Sequence, residues 1–410
     1  MTPQKRLLAM NNYFYRRGGA ETIFFEHMSL LEGEGWDVVP FAMQHPDNAE
    51  SAWSNYFVSE IEYGRQQGVM TKLRHAGEII YSREAERNLS ALIEKARPDI
   101  AHAHNIYHHL SPSVLSVLKK AGVPTVLTAH DLKLACPSYR MISNGAICEK
   151  CKGGNFTNVL LNRCLKGSVA LSGLVMLESF VHHGLGLYRN NLDKVVVPSR
   201  FYRDKLIEWG WPADKLVYVP NFVEARRHDA HGGEGDYYLF AGRFSFEKGV
   251  DTLIDAAARA RVKLVLAGTG PDEAALRAQA EAVGADVTFA GFVSGGTLDA
   301  LIAGARALIL PSVWYENAPV SVLEAYALGR PVIGADIGGI PELVRDGETG
   351  AIARSGDAED LARVISAVEA LGPQRRAEMG AAGREWVTAD FSTQAYKQRM
   401  LDLYAGLGVR

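Results

Sequence analysis

The chain has 410 residues, 47% hydrophobic and 22% charged, with 44 Lys and Arg against 47 Asp and Glu for a net charge of −3. At roughly 100–200 residues per domain this length predicts two domains, and the near-balanced charge excludes the overall basic excess of a nucleic-acid-binding protein. The apolar run Leu7–Met10 stops at Asn11-Asn12, too short for a secretory signal core, and no run approaches the roughly 18 residues of a membrane span, so a cytoplasmic chain is expected, with contact to the inner membrane limited to a peripheral one.

In chain order, the first predicted strand is Arg6–Met10, and the Gly18-Gly19 loop after it opens an amphipathic helix to about Leu31. Further strands are expected at Val38–Phe41, Asp99–Ala103, Thr125–Thr128, Lys194–Val197 and Leu216–Val219, with a helical stretch over Met70–Ala96. Residues about 132–192 interrupt this rhythm as an insertion that is first irregular and then helical, and it holds all four cysteines: Cys136, Cys148, Cys151 and Cys164. The Cys148-x-x-Cys151 pair with one flanking Cys on each side has three readings: a structural zinc knot of four thiolates, reduced thiols on a long loop, or disulfides, the last disfavoured in the cytosol. The polar, Gly-rich His228–Gly235 stretch marks a linker at 226–236.

The second half predicts strands Tyr237–Ala241, Lys263–Ala267, Val287–Ala290, Ala307–Leu310 and Pro331–Gly334, each followed by a loop and a helical stretch. Helices at about Ala358–Leu371, Gln374–Thr388 and Thr393–Leu407 close it. Strands alternating with helices argue for an α/β protein with parallel sheets. The expected domains are 1–225, with the insertion, and 237–390, while 391–410 forms a last helix that can cross back to the first domain.

In open α/β sheets ligands bind beyond the carboxyl ends of strands, and the chemistry-bearing clusters all lie there. Gly242-Arg243-Phe244-Ser245-Phe246-Glu247-Lys248-Gly249 offers Arg and Lys to neutralise phosphate, on a loop whose glycines admit close approach. In Glu316-Asn317-Ala318-Pro319-Val320-Ser321-Val322-Leu323-Glu324, Pro319 suits a first helical turn, and N–H groups of Asn317, Ala318 and Val320 at the helix start suit an anion. Glu316 precedes that helix and can reach across a ligand; Glu324 lies a turn inside and can accept hydrogen bonds from two vicinal hydroxyls. Gly268-Thr269-Gly270 and Gly291-Phe292-Val293 suit backbone contact with a flat base, and Gly18-Gly19 a second phosphate or sugar cradle. His102, His104, His108 and His109 follow another strand, of which His104, His108 and His109 are read as acceptor-cleft lining; His130 ends the Thr125–Thr128 strand and can face the cleft. No two aspartates are separated by a single residue, so a diphosphate must be held by Arg243, Lys248 and helix N-termini, with no metal needed for catalysis.

These residues resemble the retaining glycosyltransferases of the GT-B fold, in the large fourth family of that classification, over nearly the whole chain. The most specific part is the E-x(7)-E pattern of Glu316 and Glu324 with its trailing Ala327-Leu328-Gly329-Arg330-Pro331-Val332; Pro98-Asp99-Ile100-Ala101-His102-Ala103-His104, Thr128-Ala129-His130-Asp131 and Val197-Pro198-Ser199-Arg200-Phe201 extend it. The resemblance implies two Rossmann-like doubly wound domains facing a deep cleft. It implies Arg243 and Lys248 on the donor diphosphate, Glu316 and the backbone of Asn317–Val320 on the donor sugar, and Glu324 on the ribose. Gly19 approaches the donor from the opposite domain, with His130 beside the reaction centre. Many members carry Gly-Phe-Gly where this chain has Asn317-Ala318-Pro319, which puts sugar specificity in question. The Cys loop looks like one in members that build cell-surface polysaccharides. The implied activity is that of a hexosyltransferase acting from a UDP- or GDP-sugar on a glycan or polyprenyl-linked glycan. The alternatives are a sugar-nucleotide 2-epimerase on the same fold and a non-catalytic membrane-associated scaffold.

Overall fold

The computed structural model describes residues 4–60, 69–224 and 235–409, with 69–74 as backbone alone. Of the predicted 226–236 linker only Gly235 and Asp236 fall among them. The chain builds two six-stranded sheets. The first contains β1 (Arg6–Met10), β2 (Asp37–Phe41), β3 (Ile100–Ala103), β4 (Thr125–Thr128), β7 (Lys194–Val197) and β8 (Leu216–Tyr218), with a small hairpin of β5 (Ile142–Ser143) and β6 (Ala146–Ile147) inside the insertion. The second contains β9 (Tyr237–Ala241), β10 (Lys263–Ala267), β11 (Val287–Gly291), β12 (Leu308–Leu310), β13 (Val332–Ala335) and β14 (Gly350–Ala353).

Every pairing within the two sheets is parallel, in the orders β2-β1-β3-β4-β7-β8 and β11-β10-β9-β12-β13-β14. Parallel sheets are covered on both faces, so their strands read as short continuous apolar runs such as the buried Val195-Val196-Val197. Each order reverses once, beside β1 in the first sheet and between β9 and β12 in the second, and such a reversal opens a crevice at the carboxyl ends of the strands. The doubly wound α/β class is therefore observed.

Two elements differ from expectation. The helical stretch Met70–Ala96 is divided into two helices, Val69–Ile80 and Arg83–Ala96, because Ser82 takes an extended conformation and its side chain accepts a hydrogen bond from Ala85 N. Strand β14 is additional, since Gly350-Ala351-Ile352-Ala353 has almost no β-branched content to announce it.

The last helix, Thr393–Gly406, sets Tyr396, Met400 and Tyr404 into the apolar cluster of the first domain, with Leu7, Phe24 and Trp36. The domains also meet through polar contacts. Glu342 accepts hydrogen bonds from the backbone N–H groups of Arg200, at 2.8 Å, and Phe201. Arg140 of the insertion pairs with Glu247 at 3.1 Å, and Tyr315 donates to Glu149 at 2.9 Å.

Candidate active site

Loops from both domains line one cleft of about 1310 Å³. Gly18 and Gly19 come from the end of β1 and His130 from the end of β4. Arg243 and Lys248 follow β9, Gly268 follows β10, and Phe292 and Val293 follow β11. Glu316, Asn317, Ala318, Pro319, Val320 and Glu324 follow β12. Strand ends that are distant in sequence converge because both sheets turn their carboxyl edges to the same space.

The second domain supplies the ion pair and both carboxylates of the cleft lining. Glu316 is buried, and its Oε1 lies 2.7 Å from Lys248 Nζ and 2.7 Å from the Ser312 hydroxyl that donates to it. Burial by itself would raise its carboxyl, but the Lys248 ammonium and the donated hydrogen bonds outweigh it and hold the group below the usual carboxylate range. Lys248 also stands 5.2 Å from the Trp314 ring centroid. Arg243 is exposed on the cleft wall. Glu324 is opposite in character: burial, with Asp299 and then Glu26 nearby, pushes its carboxyl up to about 7. The two acids of one motif are thus prepared differently, one ionised against a cation and the other close to half-protonated at neutral pH.

The helix after Glu316 starts at Val320, and Pro319 is the flanking residue with ψ of 116° rather than part of the first turn. Its missing N–H still costs nothing there. Glycine is required at Gly268, where φ is +141° and a Cβ would stand 1.9 Å from Gly242 O. It is required again at Gly339, where a Cβ would meet Asn317 O at 1.8 Å, so the loop after β13 presses directly on the Glu316–Pro319 segment. Asn317 spans the domains: its Nδ2 donates to Ala129 O at 3.0 Å and His130 O at 3.2 Å, and its Oδ1 accepts from Ser199 at 2.8 Å. Asn221 adds a bond to Ala318 O at 2.8 Å. The position that departs from Gly-Phe-Gly is therefore committed to joining the domains in this state.

The histidines need a correction. His104, His108 and His109 are absent from the cleft wall. His102 and His104 share one face because strand side chains alternate, and that face of the central strand β3 is covered, so both rings are fully buried. They stack at 4.8 Å, and His104 Nδ1 lies 2.8 Å from His130 Nε2. His108, at φ of +72°, sits 3.6 Å from Glu178, and burial lowers its imidazole to about 4. His109 is buried, 6.0 Å from the Tyr13 ring. Among the described histidines only His130 lines the cleft.

Cys136, Cys148, Cys151 and Cys164 are free thiols away from the cleft. Burial, with the other three sulfurs near, pushes the Cys151 thiol up to about 12. Among the described residues no group of three His, Cys, Asp or Glu side chains is set to hold a metal ion. Arg16 and Arg17 also line the cleft. They stand immediately before Gly18-Gly19, and two adjacent cations ahead of a glycine pair were the sequence signal for them.

The family model described as "Glycosyltransferase Family 4" matches residues 17–227, and that described as "Glycosyl transferases group 1" matches 222–386. The chain is 33% identical over 326 residues to the alpha-maltose-1-phosphate synthase of Mycobacterium tuberculosis, covering 74% of this chain and 78% of that one. It is 33% identical over 241 residues to a GDP-mannose-dependent alpha-(1-6)-phosphatidylinositol monomannoside mannosyltransferase of the same species, covering 52% and 62%. Anabaena HepE, solved with UDP and glucose, shares the fold at a TM-score of 0.70 and 16% identity, over 98% of this chain and 100% of that one.

Proposed function

The chain belongs to glycosyltransferase family 4, and from that premise we propose that it transfers a hexose from a nucleoside-diphosphate sugar to a hydroxyl of a glycan or lipid-linked glycan, with retention at the anomeric carbon. The observation that carries this reading is the meeting of Arg243, Lys248, Glu316 and Glu324 from one domain with Gly19 and His130 from the other in a single cleft. Arg243 and Lys248 hold the diphosphate, as a fork and a point charge. Glu316 orients the sugar and Glu324 the ribose, while the exposed Phe292 beside Gly268 offers a face to the base.

In the step itself the bond from the anomeric carbon to the leaving phosphate oxygen breaks, the acceptor oxygen bonds the same face, and the acceptor proton passes to the leaving phosphate oxygen. The transition state has oxocarbenium character. Positive potential from Arg243, Lys248 and the start of the Val320–Ala327 helix stabilises the departing diphosphate without a metal. UDP and GDP both remain candidate nucleotides, since the similar proteins include one solved with UDP and one described as GDP-mannose-dependent.

A second cavity of about 430 Å³, lined by Lys133, Phe156, His183, Arg189, Trp209 and Trp211 among others, is bounded by part of the segment that follows His130 and supports a glycan acceptor, for which aromatic faces and hydrogen-bonding groups are the matching chemistry. In the same insertion Leu161, Val169, Leu171, Leu177, Phe180 and Leu185 are exposed, and Phe180 stands 5.4 Å from Phe156 of the cavity wall. These exposed apolar side chains support peripheral contact with a membrane carrying a lipid-linked acceptor; among the described residues no helix is long and apolar enough to cross one.

The test is nucleoside-diphosphate release from a panel of UDP- and GDP-sugars, with and without a glycan acceptor. Acceptor-dependent release is expected. Donor turnover that ignores the acceptor would shift the reading to an epimerase, and binding without any turnover would leave a scaffold.

A further inference from the structure

Four imidazoles run through the first domain from the last helix to the cleft. His27 has both ring nitrogens occupied, Nδ1 at 3.0 Å from the Tyr396 hydroxyl and Nε2 at 2.9 Å from the Tyr404 hydroxyl. His102 is likewise occupied, by the Tyr404 hydroxyl at 2.5 Å and the Thr128 hydroxyl at 2.7 Å. His104 differs. Its Nδ1 faces His130 Nε2 at 2.8 Å, while its buried Nε2 has no hydrogen-bond partner among the described residues. His130 is the last ring in the row and the one that lines the cleft.

A hydrogen bond between two neutral imidazoles needs one N–H and one lone pair. Both rings are neutral at pH 7, since burial depresses His104 well below its ordinary range and His130 to about 4. Of the two nitrogens of His104, the unpartnered one is the better place for the bare lone pair, because an orphaned buried N–H is rarer than an under-satisfied acceptor. The His104 proton then sits on Nδ1 and is donated to His130 Nε2. That leaves His130 with its own proton on Nδ1.

We propose that His104 is a positioning residue that fixes His130 as the Nδ1–H tautomer, so that the ring meets the cleft as a hydrogen-bond donor rather than as a base. The tautomer of a histidine is set by the partner of its other nitrogen, and here that partner is a second histidine. With its Nε2 lone pair occupied, His130 cannot take the acceptor proton. It can donate to an oxygen of a bound donor sugar or acceptor. This goes beyond the reading of the cleft as a transferase site and does not require it, since the tautomer exists with or without turnover.

The test is ring-¹⁵N NMR on the whole protein carrying ring-labelled histidine, with His130 assigned by the signals lost in His130→Asn. The expected wild-type result is a protonated Nδ1 and an unprotonated, hydrogen-bonded Nε2 on His130. His104→Phe keeps an aromatic ring but removes the donor, and should move His130 toward Nε2–H. It should also lower kcat about tenfold, the loss of one orienting hydrogen bond of about 1.4 kcal/mol, with the donor KM changed less than about twofold. His104→Asn, whose carboxamide can donate in place of Nδ1–H, should restore much of both. A proton on Nε2 of His130 in the wild type overturns the proposal, and so does an unchanged tautomer in folded His104→Phe. If that variant fails to fold, the wild-type spectrum decides alone. A normal tautomer result with no nucleotide-sugar turnover would count against the transferase reading and not against this one.

Discussion

The two walls of the cleft are built on the same type of sheet and do different electrostatic work. The second domain presents charge: Arg243, the Lys248–Glu316 pair and Glu324 all project from strand-to-helix loops. The first presents glycine backbone preceded by the exposed Arg16 and Arg17, and a neutral histidine, His130, backed by neutral rings in the core. One wall is shaped for a diphosphate and a ribose, which are recognised by charge and by paired hydroxyls. The other carries its two cations beside the Gly18-Gly19 loop, and around His130 it is shaped for the uncharged part of the reaction, where a fixed hydrogen-bond direction matters more than a full charge. Interdomain bonds through Asn317, Glu342 and Glu149 hold the walls in register.

The charged wall should fail most completely at Lys248. Lys248→Ala removes the phosphate cation and leaves Glu316 buried and unpaired, so donor affinity by calorimetry should drop more than about a hundredfold and stability by about 3 kcal/mol. Adding Glu316→Gln should return much of the stability without the affinity. Near-normal donor binding in Lys248→Ala would contradict the division of labour between the walls.

Glu324 gives the next effect, and its sign is fixed by its environment. Its carboxyl titrates near 7 in the folded chain against an ordinary 4.5, so the unfolded chain sheds the proton first and stability declines as pH rises from about 4.5 through 7. Glu324→Gln should therefore stabilise the nucleotide-free protein at pH 8 by up to about 3 kcal/mol and have little effect below pH 4. Ribose hydroxyls donate to the ionised form, so wild-type nucleotide affinity should climb between pH 6 and 8 with release of a proton, detectable by calorimetry in buffers of different ionisation enthalpy. A flat affinity profile would mean that Glu324 does not hold the ribose.

Asn317 tests whether the walls need their bridge. Asn317→Ala deletes the bonds to Ala129, His130 and Ser199, and the donor KM should rise about tenfold as water replaces them at roughly 1 kcal/mol net. Solution scattering should show a more open average shape; an unchanged profile and KM would assign the bridge no role. Smallest is the effect of the exposed apolar side chains. Leu177→Ser with Phe180→Ser should abolish flotation with anionic liposomes, each side chain contributing up to about 2 kcal/mol of burial, and leave turnover on a water-soluble acceptor intact.

The same contrast explains what the sequence disclosed. Buried parallel strands are short apolar runs between loops, so eleven of the twelve strands of the two sheets were visible, while β14 was hidden by its Gly and Ala. Arg243, Lys248, Glu316 and Glu324 were visible as charges on loops in a specific spacing. His104 was visible as a residue but misplaced, because its surroundings depend on which face of β3 is covered, and covering comes from helices far away in the chain. Asn317 stood out as a departure from a pattern, yet its partners Ala129, His130 and Ser199 belong to the other domain and no local signal announces them. Local charge survives translation into one dimension; a hydrogen bond across domains does not.

The contact of Glu342 with the first domain has a kinetic consequence. The helix Arg200–Glu208 begins with three amides that need acceptors: Ser199 serves Tyr202, and Glu342, from the opposite domain, serves Arg200 and Phe201. When the domains part, those two amides lose their shield together, while that of Tyr202 keeps a local one. Hydrogen exchange at Arg200 and Phe201, referenced to the adjoining Tyr202 on the same helix turn, is thus a clock for opening that the protein carries within itself, with no label to attach.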